Sequence, residues 1–147
     1  MPTWRPTMMC VHMPDADEHA EIRDRASNDP FCGRVGIELA AIGEGHAETT
    51  LTVDEDHLNF HGTPHGGVVY TLADAAFAAA SNSHGDAAYA LETNISYLAA
   101  ADVGDTLRAV AEETHLGGRT AAYEVVVSDD SGDRIATFRG RVYKPGR

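Results

Sequence analysis

The chain has 147 residues, with 23 Asp or Glu against 11 Lys or Arg and a formal net charge of −12. That length predicts one domain with a single core, burying about 68–70% of its unfolded surface. The charge argues against a nucleic-acid partner, because phosphate binding needs a basic patch and none is visible. No apolar run approaches the ~18 residues of a membrane span, and no leader or lipidation signal is present, so an unprocessed protein without a membrane partner is expected.

Like charges at this density repel and keep a chain dispersed, a lever associated with halophiles, which points to a high-salt cytoplasm. Cys10 and Cys32 have no metal-like spacing and are too few for a disulfide framework, so a reducing interior suits them.

Residues 1–17 hold Pro2, Pro6 and Pro14 with no hydrophobic period and read as a flexible arm, leaving 18–147 as the single folded domain. Glu18 to Arg25 has the spacing of a short amphipathic helix. Asn28-Asp29-Pro30 would end it, since the residue before a proline is pushed out of the helical region, and Phe31 would pack it down. A first strand over Val35–Ile42 turns at Gly43-Glu44-Gly45 into His46–Asp54, whose Ala47, Thr49, Leu51 and Val53 alternate with polar residues, giving a hairpin. A polar loop ending in His65-Gly66-Gly67 then feeds an alanine-rich helix from Val68, with Gly85 as its stop signal.

Beyond the helix the pattern is strand throughout. Ala88–Tyr97, Asp105–Thr114, Arg119–Val127 and Arg134–Tyr143 alternate in period two, and Ser128 to Asp133 is the clearest turn. Short turns predict a meander of antiparallel neighbours. A sheet with one apolar face needs a cover, and the alanine-rich helix is the one large apolar object available. The predicted class is therefore α+β, a curved antiparallel sheet wrapped around one long central helix. One helix cannot cover all of it, so dimerisation through an edge strand is expected.

The chemistry-bearing residues cluster around the helix start: Asn59, His61, His65, Gly66, Gly67 and, within the helix, Asp74. Two glycines leave the free amides of a helix start unshielded, and those amides suit a polarised carbonyl oxygen. A carboxylate in an alanine helix is costly to bury without a partner or a task. Gly66 and Asp74 are eight residues apart, about 12 Å along a helix. To act on one carbonyl, the acid must come from a symmetry mate with an antiparallel helix. Such a composite site fits acyl transfer to water: the Gly66 or Gly67 amide stabilises the oxygen of a thioester carbonyl becoming tetrahedral. Asp74 of the partner subunit attacks the carbonyl or activates water, Asn59 holds the water or the carboxylate, and His65 orders the loop or bonds near the thioester.

Other chemistries lack their parts. His61 and His65 have Pro64 between them and no third ligand at recognisable spacing, so no metal is expected. Neither a G-x-S-x-G elbow nor a phosphate-cradling loop occurs, and Cys32 has no histidine partner nearby in sequence.

Asn59-Phe60-His61-Gly62-Thr63-Pro64-His65-Gly66-Gly67, then Leu72-Ala73-Asp74-Ala75-Ala76-Phe77 and Ser81-Asn82-Ser83, resembles the phenylacetic-acid-degradation type of hotdog-fold acyl-CoA thioesterase. The likeness continues through Gly104-Asp105-Thr106-Leu107, Arg119-Thr120, Tyr123-Glu124-Val125 and Phe138-Arg139-Gly140. It implies a hotdog fold, dimers that pair into tetramers, and hydrolysis of aryl-acetyl or related acyl-CoA thioesters without a bound cofactor. It also implies that Asp74 is the acid acting across the dimer, Gly66 the carbonyl-polarising glycine, and His65 and Asn59 the loop residues. Tyr97-Leu98-Ala99-Ala100 stands where Phe-Leu-Arg-Pro is common, which leaves Arg119 and Arg139 as candidates for phosphate contact. An enoyl-CoA hydratase of this fold would carry Asp-x-x-x-x-His, but Asp74 is followed by Ala79 at that spacing. A non-catalytic acyl-CoA binder remains the alternative from another class.

Overall fold

The longest apolar stretch forms helix α3, Gly66–Ser81, and everything else is placed by what packs against it. The computed structural model describes residues 19–146, so the arm expected over 1–17, with Cys10, lies outside the described residues. Before α3 come α1 (Ala20–Ser27), α2 (Pro30–Val35) and the hairpin β1 (Glu38–Gly43) and β2 (His46–Thr52). After it come β3 (Tyr89–Tyr97), β4 (Thr106–Leu116), β5 (Thr120–Ser128) and β6 (Arg134–Tyr143). The six strands form one antiparallel sheet in the order β1-β2-β4-β5-β6-β3, curved around α3 in the expected hotdog arrangement.

The alternation read from the sequence is the alternation of burial. Ala47, Leu51, Leu107, Ala109, Ala111, Val125 and Val127 are almost wholly buried, and their inward faces meet Leu72, Ala73, Ala76 and Phe77 of α3. Alanines on the helix let it approach the sheet closely, and at one point nothing but bare backbone fits. A Cβ on Gly140 of β6 would come within 2.6 Å of the Phe77 ring. Phe77 also packs against Phe138 and Tyr123, with ring centroids 5.5 and 5.8 Å away, a separation at which tilted aromatic pairs attract. Thr49 Oγ1 donates to the Leu72 carbonyl at 2.8 Å, tying helix to hairpin inside the core.

Four expectations need correction. α1 does end before Pro30, but Pro30 also opens α2, where its fixed φ and missing N–H suit the first helical position. Asp29 caps that helix by accepting from the Cys32 amide at 3.0 Å. Phe31 consequently lies on the outer side of α2 and is 63% exposed, and it is Ile22 and Ala26 that pack α1 onto the core. α3 stops at Ser81 rather than running on to Gly85, because the Asn82 side chain donates to the Ala78 carbonyl and bonds both the amide and the carbonyl of Ala88.

The meander also fails at one step. β4, β5 and β6 are sequential neighbours joined by tight turns, but β3 pairs with β6 at the far edge, while β4 joins β2. The connection between β3 and β4 is too long for a hairpin turn, and it crosses the end of the sheet. Leu98 donates to the Ile135 carbonyl at 2.8 Å at one side, and Gly104 to the Val53 carbonyl at 2.8 Å at the other. β3 is thus an edge strand, bulged between Ala90 and Glu92, with Tyr89, Leu91 and Tyr97 at least half exposed. α3 packs mainly on β2, β4 and β5, leaving the β6–β3 side less covered.

Candidate active site

The loop before α3 is closed by one side chain. Asn59 Oδ1 accepts from the His61 amide (2.9 Å), the Thr63 amide (3.2 Å) and Thr63 Oγ1 (3.2 Å), while the Asn59 amide donates to the Thr63 carbonyl at 2.8 Å. Such Asx bonding folds a short polar stretch without secondary structure. Gly62 sits at φ 80°, a left-handed conformation open to glycine at little cost. The loop leaves His61 exposed, its ring 4.0 Å from that of Phe60.

His65 is the N-cap of α3. Its Nδ1 accepts from the Gly67 amide at 2.9 Å, which assigns the ring proton to Nε2 on the exposed side. Its own amide donates to the His57 carbonyl at 2.8 Å, and its carbonyl takes the Val68 amide at 3.0 Å. Of the two glycine amides, then, Gly67 is engaged within the chain, whereas Gly66 N–H has no hydrogen-bond partner among the described residues. An unspent N–H at the positive end of a sixteen-residue helix is a donor awaiting an acceptor. Beside it lies a cavity of about 400 Å³ bordered by Pro64, Val69, Tyr97, Leu98 and Ile135.

Asp74 lies two turns further along α3. It falls on the stripe Gly67, Thr71, Asp74 and Ala78 that the chain's own sheet leaves uncovered, opposite Leu72, Ala76 and Phe77. It is half-buried and its carboxylate makes no hydrogen bond or ion pair among the described residues. Burial, with the Asp29 charge as a second cause, raises its pKa above the ordinary aspartate value. The next residue, Ala75, and Ala78 one turn on line a cavity of about 370 Å³ with Ile22, Ile37 and Leu39. Cys32 borders the same cavity, and burial together with Asp29 pushes its thiol up to about 11, so it is no nucleophile at neutral pH.

The structure therefore brings Asn59, His61, His65, Gly66 and Gly67 together at one helix end and sets Asp74 apart on the same helix. The two arginines are elsewhere. Arg139 sits mid-β6 on the face away from α3, opposite Asn94 and Glu124 in register. Arg119 precedes β5 and accepts from the Lys144 amide at 2.8 Å, roughly 30 Å along β6 from the Ile135 end that borders Gly66. Within one chain neither reaches the helix start. Sequence reasoning missed Tyr97, whose hydroxyl donates to the Gly66 carbonyl at 3.0 Å. Its only signal was a tyrosine where phenylalanine is common, one hydroxyl in an exposed strand.

A model of the Thioesterase superfamily matches residues 61–136, and the chain belongs to that superfamily. The chain is 39% identical over 119 residues to the acyl-coenzyme A thioesterase PaaI of Escherichia coli K12, covering 81% of this chain and 85% of the relative. The structure of the E. coli PaaI protein from the phenylacetic acid degradation operon superposes with a TM-score of 0.82 at 35% identity, over 88% of this chain and 94% of that one. A Streptococcus mutans protein solved bound to acetyl-CoA superposes with a TM-score of 0.71 at 28% identity, covering 74% and 88%. Within the superfamily these likenesses place it among the PaaI-like hotdog thioesterases.

Proposed function

We propose that this chain hydrolyses an acyl-CoA thioester to the free acid and CoA, as a dimer or a tetramer made of two dimers, in a site shared between two subunits. The observation that carries the reading is the pair on α3: an open Gly66 N–H at its start, and an unpartnered, half-buried Asp74 on its uncovered stripe. A second copy laid antiparallel on that stripe puts Asp74 of the partner subunit beside the Gly66 amide. The open edge of β3 offers the strand pairing that would hold such a dimer.

In this site the thioester oxygen accepts from Gly66 N–H, and the helix end stabilises the charge that grows on it. Asp74 of the partner subunit takes a proton from water as the water oxygen bonds to the carbonyl carbon. The tetrahedral adduct then collapses and expels the CoA thiolate. Asn59 and His65 hold the loop and cap that set the amide in place, and His61 and the Gly67 backbone border the substrate. Arg119 and Arg139 are candidates for the nucleotide phosphates only if a neighbouring subunit brings them to the site. The cavity lined by Ala75 and Ala78, where Ile22, Ile37 and Leu39 stand alongside Arg25, Asn28 and Asp29, has room for a phenylacetyl, hydroxyphenylacetyl or medium-chain acyl group. No step calls for a metal or a bound cofactor.

The test follows free thiol released from phenylacetyl-CoA, hexanoyl-CoA and benzoyl-CoA at low and multimolar salt. Wild type should turn over at least one of them, and Asp74→Asn should lose about 10²–10⁴-fold in kcat. Equal, slow release by both proteins across the series would leave an acyl-CoA binder in place of a hydrolase.

A further inference from the structure

Two adjacent glycines make a poor start for a precise donor. Glycine has the widest conformational freedom of any residue, and helix starts fray, so Gly66 and Gly67 alone would let the first turn of α3 wander. A hydrogen-bond donor for a developing oxyanion is effective only if it is already aimed, since reorientation during the reaction consumes the stabilisation it offers. Something must hold this turn.

The geometry shows how. The Gly66–Gly67 peptide is tied at both ends by side chains: its carbonyl accepts from the Tyr97 hydroxyl at 3.0 Å, and its N–H donates to His65 Nδ1 at 2.9 Å. The preceding peptide is tied through its carbonyl, which accepts from the Val68 amide at 3.0 Å. The one group of these two peptides with no partner among the described residues is Gly66 N–H. Tyr97 also lies close against residue 66. A Cβ there would meet Tyr97 Cζ and the hydroxyl oxygen at 3.2 Å, so a side chain at this position would push the ring, and its hydroxyl, away from the peptide. Tyr97 is itself anchored, since it pairs with Ala136 and the two amides after it both donate to the Ile135 carbonyl, at 2.8 and 3.3 Å.

We infer that Tyr97 is a positioning residue: its hydroxyl, working with the His65 cap, clamps the Gly66–Gly67 peptide and so fixes the Gly66 N–H as a rigid oxyanion donor. This rests on the hydrolase reading, and it goes beyond that reading by giving the edge strand β3 a direct hold on the catalytic amide. Burial keeps the phenol pKa above its ordinary value, so the hydroxyl remains a donor throughout the neutral range.

Tyr97→Phe keeps the ring and removes only the hydroxyl. The variant should lose about tenfold in kcat with KM for acyl-CoA unchanged within about twofold, because the lost contact acts on the transition state rather than on substrate binding. Its Gly67 amide, followed by NMR hydrogen exchange in the absence of substrate, should exchange about tenfold faster as the clamped peptide loosens. Unchanged kcat, or a loss that appears only in KM, overturns the positioning role. Unchanged Gly67 exchange overturns the clamp itself, and it does so even if wild type proves inert toward every thioester, an outcome that would instead sink the hydrolase reading and Tyr97's role in it.

Discussion

The two ends of α3 follow opposite rules. At its tail, polar groups find partners inside the chain. Ser83 Oγ accepts from the Gly45 amide at 2.8 Å and donates to the Ala80 carbonyl at 2.7 Å, and His84 and Tyr123 each bond Glu113 at 2.6 Å. Lys144, only 1% exposed, adds its charge to that cluster. At the head, the loop and cap are equally well bonded, yet one amide is left over, and along the uncovered stripe one carboxylate is left over with it. Buried polar groups in a folded chain are nearly always paired. In the proposed site, the polar groups left unpaired on the half-covered helix are the ones that would meet substrate and partner subunit, while the tail shows the same helix with its polar groups satisfied within the chain.

The largest effect that would sharpen this contrast is a pH profile. As the proposed base, Asp74 would have to be ionised to take a proton, so kcat/KM should fall as the pH drops through its raised pKa, and Asp29→Asn should move that limb to lower pH by removing the neighbouring charge. The stability sign is the reverse. An acid whose folded pKa is raised binds its proton more tightly in the native state, so ionising it on the way to neutral pH costs stability. Asp74→Asn should therefore melt higher than wild type at pH 7 while losing activity. An Asp74→Asn protein that melts lower would show that the carboxylate is a paired structural group, and the two ends would cease to differ.

The tail predicts the converse. Burial alone would raise the Glu113 carboxyl, but the hydrogen bonds from Tyr123 and His84 and the Lys144 charge hold it below the ordinary glutamate value. Its stabilising contribution is complete above that ordinary value and is lost as pH falls through the lowered one. Glu113→Ala should cost about 1–3 kcal/mol at pH 7 by leaving the buried Tyr123 hydroxyl without its acceptor, and the difference from wild type in urea unfolding should shrink in acid. Activity per folded molecule should hardly change. Between the ends, Gly140→Ala should cost about 1–3 kcal/mol by driving a methyl group into the Phe77 ring, and adding Phe77→Leu should recover part of it in the same unfolding measurement.

Much of this arrangement is legible in the sequence, and the failures are of two kinds. β2, β4, β5 and β6 announce themselves because each has one buried face and so a strict two-residue period. The head of α3 is legible because capping and glycine chemistry are local. What escaped depends on where particular side chains turn or on residues far apart in the chain. The passage from β3 to the opposite side of the sheet is decided by which strand accepts which, and the bond from Tyr97 to Gly66 spans that fold. The stop at Asn82 was hidden because its side chain reaches forward to Ala88. Spacing alone also gave no way to choose between the Gly66 and Gly67 amides, since the choice depends on where the His65 ring turns.

The strand order has a consequence for how the protein is made. β3 leaves the ribosome well before β6, yet β6 is its sole hydrogen-bonded neighbour among the described residues and follows it by two further strands. The edge strand that carries the Tyr97 hydroxyl to Gly66 therefore has no sheet to join until β6 has emerged, and a chain cut short before Arg134 would strand both β3 and the outer side of β5 without a mate. Completion of the helix head is thereby postponed until β6 is made, so a product that stops short of it carries the loop and the aspartate but not the strand that completes the sheet.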